Sequence, residues 1–261
     1  MGFARNFLVA LTPLLLGNVA MAEGYTFTSG AEYTSGDYDT GIDTSTWYIP
    51  FTVGYAADTY AWSVTVPFVR IDGSSLVTGV SSSTVHGPGG MKTQTTSTTT
   101  NVDRVDSGLG DITLSASLQL QKETPAKPWL AVTGKIKLGT ADEDKFLGTG
   151  ETDYAVQLEA AKGPIDGFIG YNFLGDTETV DYDNILYGAG AVTIPLQQQW
   201  RVRTELYLEQ SPLSGIDPVS ELTVSLAKPF PQDRSLNLYA IKGLSDSSPD
   251  WGLGLLVSKG F

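Results

Sequence analysis

The chain has 261 residues, no cysteine, a single histidine and a formal net charge of −13 at pH 7. Without cysteine, neither disulfides nor thiolate metal centres can staple the fold, and an acidic balance excludes a nucleic-acid partner, which needs a basic surface. No stretch of the mature chain is apolar enough for a membrane-crossing helix, so any membrane role falls to a closed β-barrel, the other structure that pairs every backbone group in lipid.

In chain order, Arg5 precedes an apolar run from Phe7 to Leu16, interrupted by Pro13, and then Ala20-Met21-Ala22. A basic start, a short apolar stretch and an A-x-A site predict a secretory signal peptide over 1–22, removed to leave 23–261. Turn residues divide that mature chain into twelve segments of alternating hydrophobicity. The first, 24–34, carries Tyr25, Phe27 and Tyr33 on one phase, and the second, 45–56, carries Trp47, Ile49, Phe51, Val53 and Tyr55. The third, 59–70, places Tyr60, Trp62, Val64, Val66 and Phe68 together. After a long segment, 72–107, come strands around Ile112–Leu120, Trp129–Leu138 and Tyr154–Glu159, then two glycine-rich ones near 167–174 and 185–194. The ninth sets Trp200, Val202, Thr204, Leu206 and Leu208 against Arg201, Arg203, Glu205, Tyr207 and Glu209. Strands around Leu222–Leu226 and Leu236–Tyr239 follow. The last runs from Trp251 to Phe261, with Gly252, Gly254, Ser258 and Gly260 on its polar phase and Leu256 interrupting it.

A soluble β-sandwich shows the same alternation. The tryptophans argue for the barrel: Trp47, Trp129, Trp200 and Trp251 begin strands, Trp62 lies near the start of its own, and Phe261 closes the last. Aromatic residues at both ends of apolar strands match the interfacial girdles of an outer-membrane barrel. The expected fold is therefore all-β: a transmembrane antiparallel up-and-down barrel of twelve strands in a bacterial outer membrane. Connections alternate between short turns and longer polar loops, and an even strand count puts both termini in the periplasm.

The run Ser107-Gly-Leu-Gly-Asp-Ile-Thr-Leu-Ser-Ala-Ser-Leu118, then Pro128-Trp-Leu-Ala-Val132, Lys137-Leu-Gly-Thr140 and Leu147-Gly-Thr-Gly-Glu-Thr-Asp-Tyr154, resembles the outer-membrane transporter-like family associated with the meta-pathway of phenol degradation. The likeness is densest over 107–160. It implies an outer-membrane channel or transporter for small molecules, with hydrophobic or aromatic compounds as the leading class.

If the apolar phase meets lipid, the polar phase lines a lumen. That places Lys135, Lys137, Glu159, Arg201, Arg203, Glu205, Tyr207, Glu209 and Glu221 along a solute path. Opposite charges on facing walls set up a transverse field that sorts solutes; the alternative is that they pair with neighbours and fill a narrow lumen. Pro50 and Pro67 are expected diagonally across one hairpin, each deleting a ladder hydrogen bond. They either open the wall sideways or mark β-bulges that shape it. The segment 72–107 folds into the lumen as a constriction or extends outward. Acidic residues gather in the outer loops (Asp37, Asp39, Asp43, Asp142, Glu143, Asp144, Asp176, Glu178, Asp181, Asp183). With no calcium-loop spacing among them, a solvated rim is favoured over a divalent-ion site shared with lipopolysaccharide.

An enzyme is not expected. The one histidine, His86, sits in a Ser/Gly/Pro-rich loop instead of on a strand, and no Gly-x-Ser-x-Gly turn occurs. No cofactor or metal is called for. The partners implied are outer-membrane lipid and lipopolysaccharide, a small-molecule solute, and the barrel-assembly machinery acting through the C-terminal strand. A porin for small polar or anionic solutes and a structural or adhesion barrel with a plugged lumen remain the other functional readings.

Overall fold

The computed structural model describes residues 23–38, 43–74, 103–145, 147–177, 181–213 and 217–261. The expected signal peptide, 1–22, and His86 lie outside them. The described residues form thirteen strand segments: β1 (Gly24–Gly36), β2 (Thr44–Ala56), β3 (Tyr60–Ser74), β4 (Asp103–Leu109), β5 (Ile112–Gln121), β6 (Trp129–Leu138), β7 (Asp153–Lys162), β8 (Ile165–Phe173), β9 (Ile185–Pro195), β10 (Arg201–Glu209), β11 (Val219–Phe230), β12 (Arg234–Gly243) and β13 (Trp251–Gly260). They make twelve staves, because β4 and β5 pair in succession with the same edge of β3: Phe68↔Leu109 to Ser74↔Asp103, and Tyr60↔Leu118 to Thr65↔Thr113. All pairings are antiparallel between neighbours, and β13 closes on β1 from Thr26↔Gly260 to Ser35↔Trp251. The twelve-stranded closed barrel expected from the alternation is the fold.

The expected connection 72–107 is shorter than the sequence implied. Asp72↔Val105 and Ser74↔Asp103 are paired strand, and the remainder, 75–102, lies outside the described residues. β4 escapes a periodicity reading because its outer phase, which Asp103 begins, has just two apolar residues, Val105 and Leu109, separated by Ser107.

Alternation sorts the side chains as lipid and lumen demand. Outward positions stay exposed despite being apolar: Leu118, Ile169, Leu208 and Leu253 are each more than half exposed, while the inward Thr34, Tyr48, Gln157 and Glu221 are fully covered. Aromatic rings gather at both rims. At the end bearing the long loops, Tyr33 packs 5.1 Å from Trp47 and 5.4 Å from Trp251 between ring centres. At the end bearing the short turns, where β1 begins and β13 ends, Tyr25, Tyr55 and Trp62 cluster, and Lys228 lies 5.1 Å over Trp200 and Lys259 4.6 Å over Phe261. Trp129 departs from the expectation. It shares the inward phase of β6 with Ala131, Thr133, Lys135 and Lys137, and its indole N–H donates to Gln119 Oε1 at 3.1 Å. It belongs to the inner wall, not to the lipid-facing girdle.

Two inward glycines have a steric reason. Gly254 lies opposite Tyr239 and Gly170 opposite Tyr187, and each tyrosine ring lies flat across its glycine. A Cβ on Gly254 would stand 2.0 Å from the Tyr239 ring, and one on Gly170 2.3 Å from that of Tyr187.

Pro50 and Pro67 are directly opposite each other, not diagonal, and β2–β3 register runs unbroken from Ser45↔Asp72 to Ala56↔Ala61. Two residues without N–H groups can face each other only as a non-hydrogen-bonded pair, with their ladder positions turned to the other neighbours. The irregularities accordingly lie on the far sides. β1–β2 pairing skips from Ser29↔Phe51 to Glu32↔Tyr48, and the β5–β4 break sits beside Pro67, whose carbonyl accepts the Gly110 N–H at 2.9 Å. The β2–β3 hairpin itself has no gap.

Candidate functional site: the barrel lumen

The lumen has two unlike halves. From the turn end, a cavity of about 470 Å³ reaches inward as far as Lys135 and Glu159, with Arg201, Gln119 and Trp129 also on its wall. Much of that wall is hydroxyl. Thr28 donates to Ser258 (2.8 Å), and Thr52 pairs with Thr65 (2.8 Å), Ser63 with Ser115 (2.8 Å) and Ser117 with Thr133 (2.7 Å). These bonds join side chains across adjacent staves, so each hydroxyl is satisfied while still facing the cavity.

Beside this belt, β6 to β10 carry the charges. The Thr133 hydroxyl donates to Glu159 Oε1 at 2.5 Å and Gln157 Nε2 donates to the same oxygen at 2.9 Å. Lys135 Nζ donates to Gln157 Oε1 at 2.7 Å and stands 6.0 Å from the Phe168 ring centre and 5.4 Å from that of Tyr187. Arg203 pairs with Asp166 and Glu205, each at 2.5 Å, and the Tyr207 hydroxyl donates to Glu209 at 2.6 Å. Lys137 bridges Asp153 at 2.6 Å and Asp111 at 3.4 Å. All nine residues expected on the inner phase are there. Two of them, Arg203 and Lys137, are neutralised on their own side of the barrel, the alternative weighed from the sequence to a transverse field between facing walls. Low-dielectric surroundings favour that outcome, because a charge without a nearby counter-charge is costly to bury.

The loop half holds an apolar cluster among buried polar groups such as Glu32, Thr34, Thr46 and Glu221. Tyr48, Val69, Ile71, Tyr239, Ile241 and Leu256 project inward and pack with Ala141 and Leu147, which come from the connection between β6 and β7. Leu147 is 2% exposed. That connection is tied down at its root: Asp111 Oδ1 accepts the Thr140 and Ala141 N–H groups, both at 2.9 Å, and Lys137 donates to Thr149 Oγ1 at 3.3 Å. The connection between β6 and β7 thus folds into the lumen through Ala141 and Leu147, while 75–102, for which the sequence left an inward and an outward course open, lies outside the described residues. Nearby, the Tyr239 hydroxyl donates to Glu32 at 2.8 Å, and burial pushes the hydroxyl pKa of Tyr38, in the loop after β1, well above the ordinary tyrosine range.

Sequence reasoning missed Glu32, Asp111, Asp153 and Asp166. Glu32 and Asp153 were readable, since each shares parity with inward neighbours on its strand; Asp111 was not, because it occupies the break between β4 and β5. Among the outer-loop acids, Asp39, Glu178 and the Asp144 side chain lie outside what is described, and no group of three or more metal-ligating side chains occurs among the described residues.

A closed antiparallel barrel with a lipid-facing apolar band, two aromatic rims, and a lumen with a hydroxyl belt toward one end and an apolar cluster among buried charges toward the other is a barrel of the outer-membrane type. Residues 24–258 match the family described as "Putative MetA-pathway of phenol degradation", and the chain belongs to that family. In fold it is similar to an outer membrane channel from Pseudomonas putida F1, with 16% identity, a TM-score of 0.71, and 94% of this chain and 98% of that one covered. It is also similar to the translocator domain of the autotransporter NalP from Neisseria meningitidis, with 12% identity, a TM-score of 0.54, and 99% and 96% coverage. No curated protein matches it in sequence.

Proposed function

We propose that the protein is an outer-membrane channel for small hydrophobic compounds, aromatic ones foremost. The observation that carries this reading is the apolar packing of Leu147 against Tyr48, Val69, Ile71, Tyr239, Ile241 and Leu256. An apolar constriction is a barrier to hydrated ions, which cannot shed water there, and a favourable surface for a solute with an aromatic body. The family's description, which refers to phenol degradation, and the channel nature of the Pseudomonas putida neighbour agree with it. On this reading the chain is exported by a signal peptide over 1–22, assembled by the barrel-assembly machinery through its C-terminal strand, and held among lipid and lipopolysaccharide. The inward residues Lys135, Lys137, Glu159, Arg201, Arg203, Glu205, Tyr207, Glu209 and Glu221 border the route.

The test measures two quantities on one preparation. In planar bilayers the protein should pass little ion current, and liposomes or cells carrying it should take up toluene faster than controls. Large, steady ohmic conductance would replace this reading with the porin for polar or anionic solutes. Neither current nor uptake would leave a plugged structural barrel.

A further inference from the structure

At the turn end, three successive strands each place a cation on the lipid-facing phase. Lys228 shares the outward phase of β11 with Val224, Arg234 that of β12 with Leu238, and Lys259 that of β13 with Leu255 and Val257. Arg234 is paired directly with Lys259 on one side and with Phe230 on the other, and Lys228 lies one outward step before Phe230. Like charges directly opposite in a ladder repel and weaken it.

The barrel itself does little to offset that repulsion. Lys228 stands 5.1 Å over the Trp200 ring and 5.3 Å over that of Phe230, and Lys259 stands 4.6 Å over Phe261. No carboxylate among the described residues, those of Glu23, Asp233 and Phe261 included, lies within ion-pair distance of the three cations. Asp233 precedes Arg234 but turns to the other face. A Cβ on Gly260, an inward position of β13, would stand 2.8 Å from Asp233 Cβ and 3.6 Å from its carboxyl carbon. Lys162, at the same end, is by contrast tied to the barrel, by Glu123 at 3.7 Å and by the carbonyls of Thr124, Pro125 and Lys127.

We propose that Lys228, Arg234 and Lys259 form a binding site for the phosphate of an anionic phospholipid. In barrels of this type the short turns face the periplasm, where the surrounding leaflet is phospholipid, and the rim aromatics lie at the depth of its headgroups. The phosphodiester meets the guanidinium fork of Arg234 and the two ammonium groups, while an acyl chain lies along Val224, Leu238 and Leu255. Basic clusters at that depth favour anionic headgroups over zwitterionic ones. The turn between β11 and β12 also borders the mouth of the cavity, so the lipid sits beside the solute route without entering it. The site is independent of what the lumen passes.

The experiment titrates dansyl-labelled phosphatidylglycerol into the purified barrel in uncharged maltoside micelles. It reads energy transfer from tryptophan, Trp200 lying beside Lys228. Transfer should saturate, be displaced by unlabelled phosphatidylglycerol but not by phosphatidylcholine, and weaken with added sodium chloride. The triple variant Lys228→Gln, Arg234→Gln, Lys259→Gln should weaken binding at least about tenfold, since three attractions are removed. Lys162→Gln should leave it unchanged. Heat-modifiable gel migration checks that each variant is a folded barrel. Should the triple variant not fold, the single variants carry the test, each losing about threefold or more. Equal displacement by phosphatidylcholine, no loss in the variants, or the same loss in Lys162→Gln overturns the site. An oligomer formed without added lipid and dispersed by the triple variant would overturn it too, assigning the patch to a second copy of the chain.

Discussion

Lys137 holds two carboxylates with one ammonium, Asp153 on β7 and Asp111 at the break between β4 and β5. All three side chains are at most 10% exposed, so removing the cation leaves two acids facing each other with little water to screen them. Lys137→Gln should therefore lower the unfolding free energy by about 3–5 kcal/mol, the usual cost of orphaning a buried charge. Lys162 provides the control. Its pairing with Glu123 lies at the turn end and is about half exposed, so Lys162→Gln should cost no more than about 1 kcal/mol. Urea unfolding of both variants in detergent, followed by gel mobility, checks the contrast, and equal midpoints would mean that the buried triad is not holding the wall. Parity alone was enough to turn Lys137 inward, and the same parity placed Trp129 inside; the sequence reading let the girdle pattern override it. Asp111 had no such signal, since a residue between two strand segments belongs to neither phase.

At the scale of elements, the connection between β6 and β7 sends Ala141 and Leu147 into the apolar cluster of the lumen. Its root is fixed by backbone N–H groups donated to Asp111, and its tip by Leu147 among inward apolar side chains. Loop composition could not distinguish it from 72–107, because both are polar and glycine-bearing. The informative residues were elsewhere. Val69, Ile71, Ile241 and Leu256 occupy the inward phase of their strands, where a water-filled lumen calls for polar groups, and apolar side chains there need a cover. Leu147→Ser withdraws the apolar anchor while leaving the Asp111 attachment intact. Ion conductance should rise several-fold over wild type, in a barrel that still migrates as folded. Unchanged conductance would show that 139–152 does not set the barrier.

For the whole molecule, the deciding event is closure of β13 on β1. The alternation and the rim aromatics made the closed barrel legible, because lipid imposes one rule on every stave at once: apolar outside, every backbone group paired. What fills the inside follows no such rule, and so the two-part lumen was not. Closure ends at Phe261, whose backbone N–H donates to the Tyr25 carbonyl at 2.9 Å while its side chain is 74% exposed. The ring touches little besides Lys259. Its contribution to the folded barrel should be that of a surface side chain, within about 0.5 kcal/mol. If the terminal aromatic is instead read by the assembly machinery, Phe261→Ala will separate the two roles. Refolded into detergent in vitro, the variant should unfold at the wild-type urea midpoint; expressed in cells, its amount in the outer membrane should fall several-fold. Equal amounts in cells would remove the assembly role, and a lowered midpoint in vitro would assign the ring to holding the seam shut.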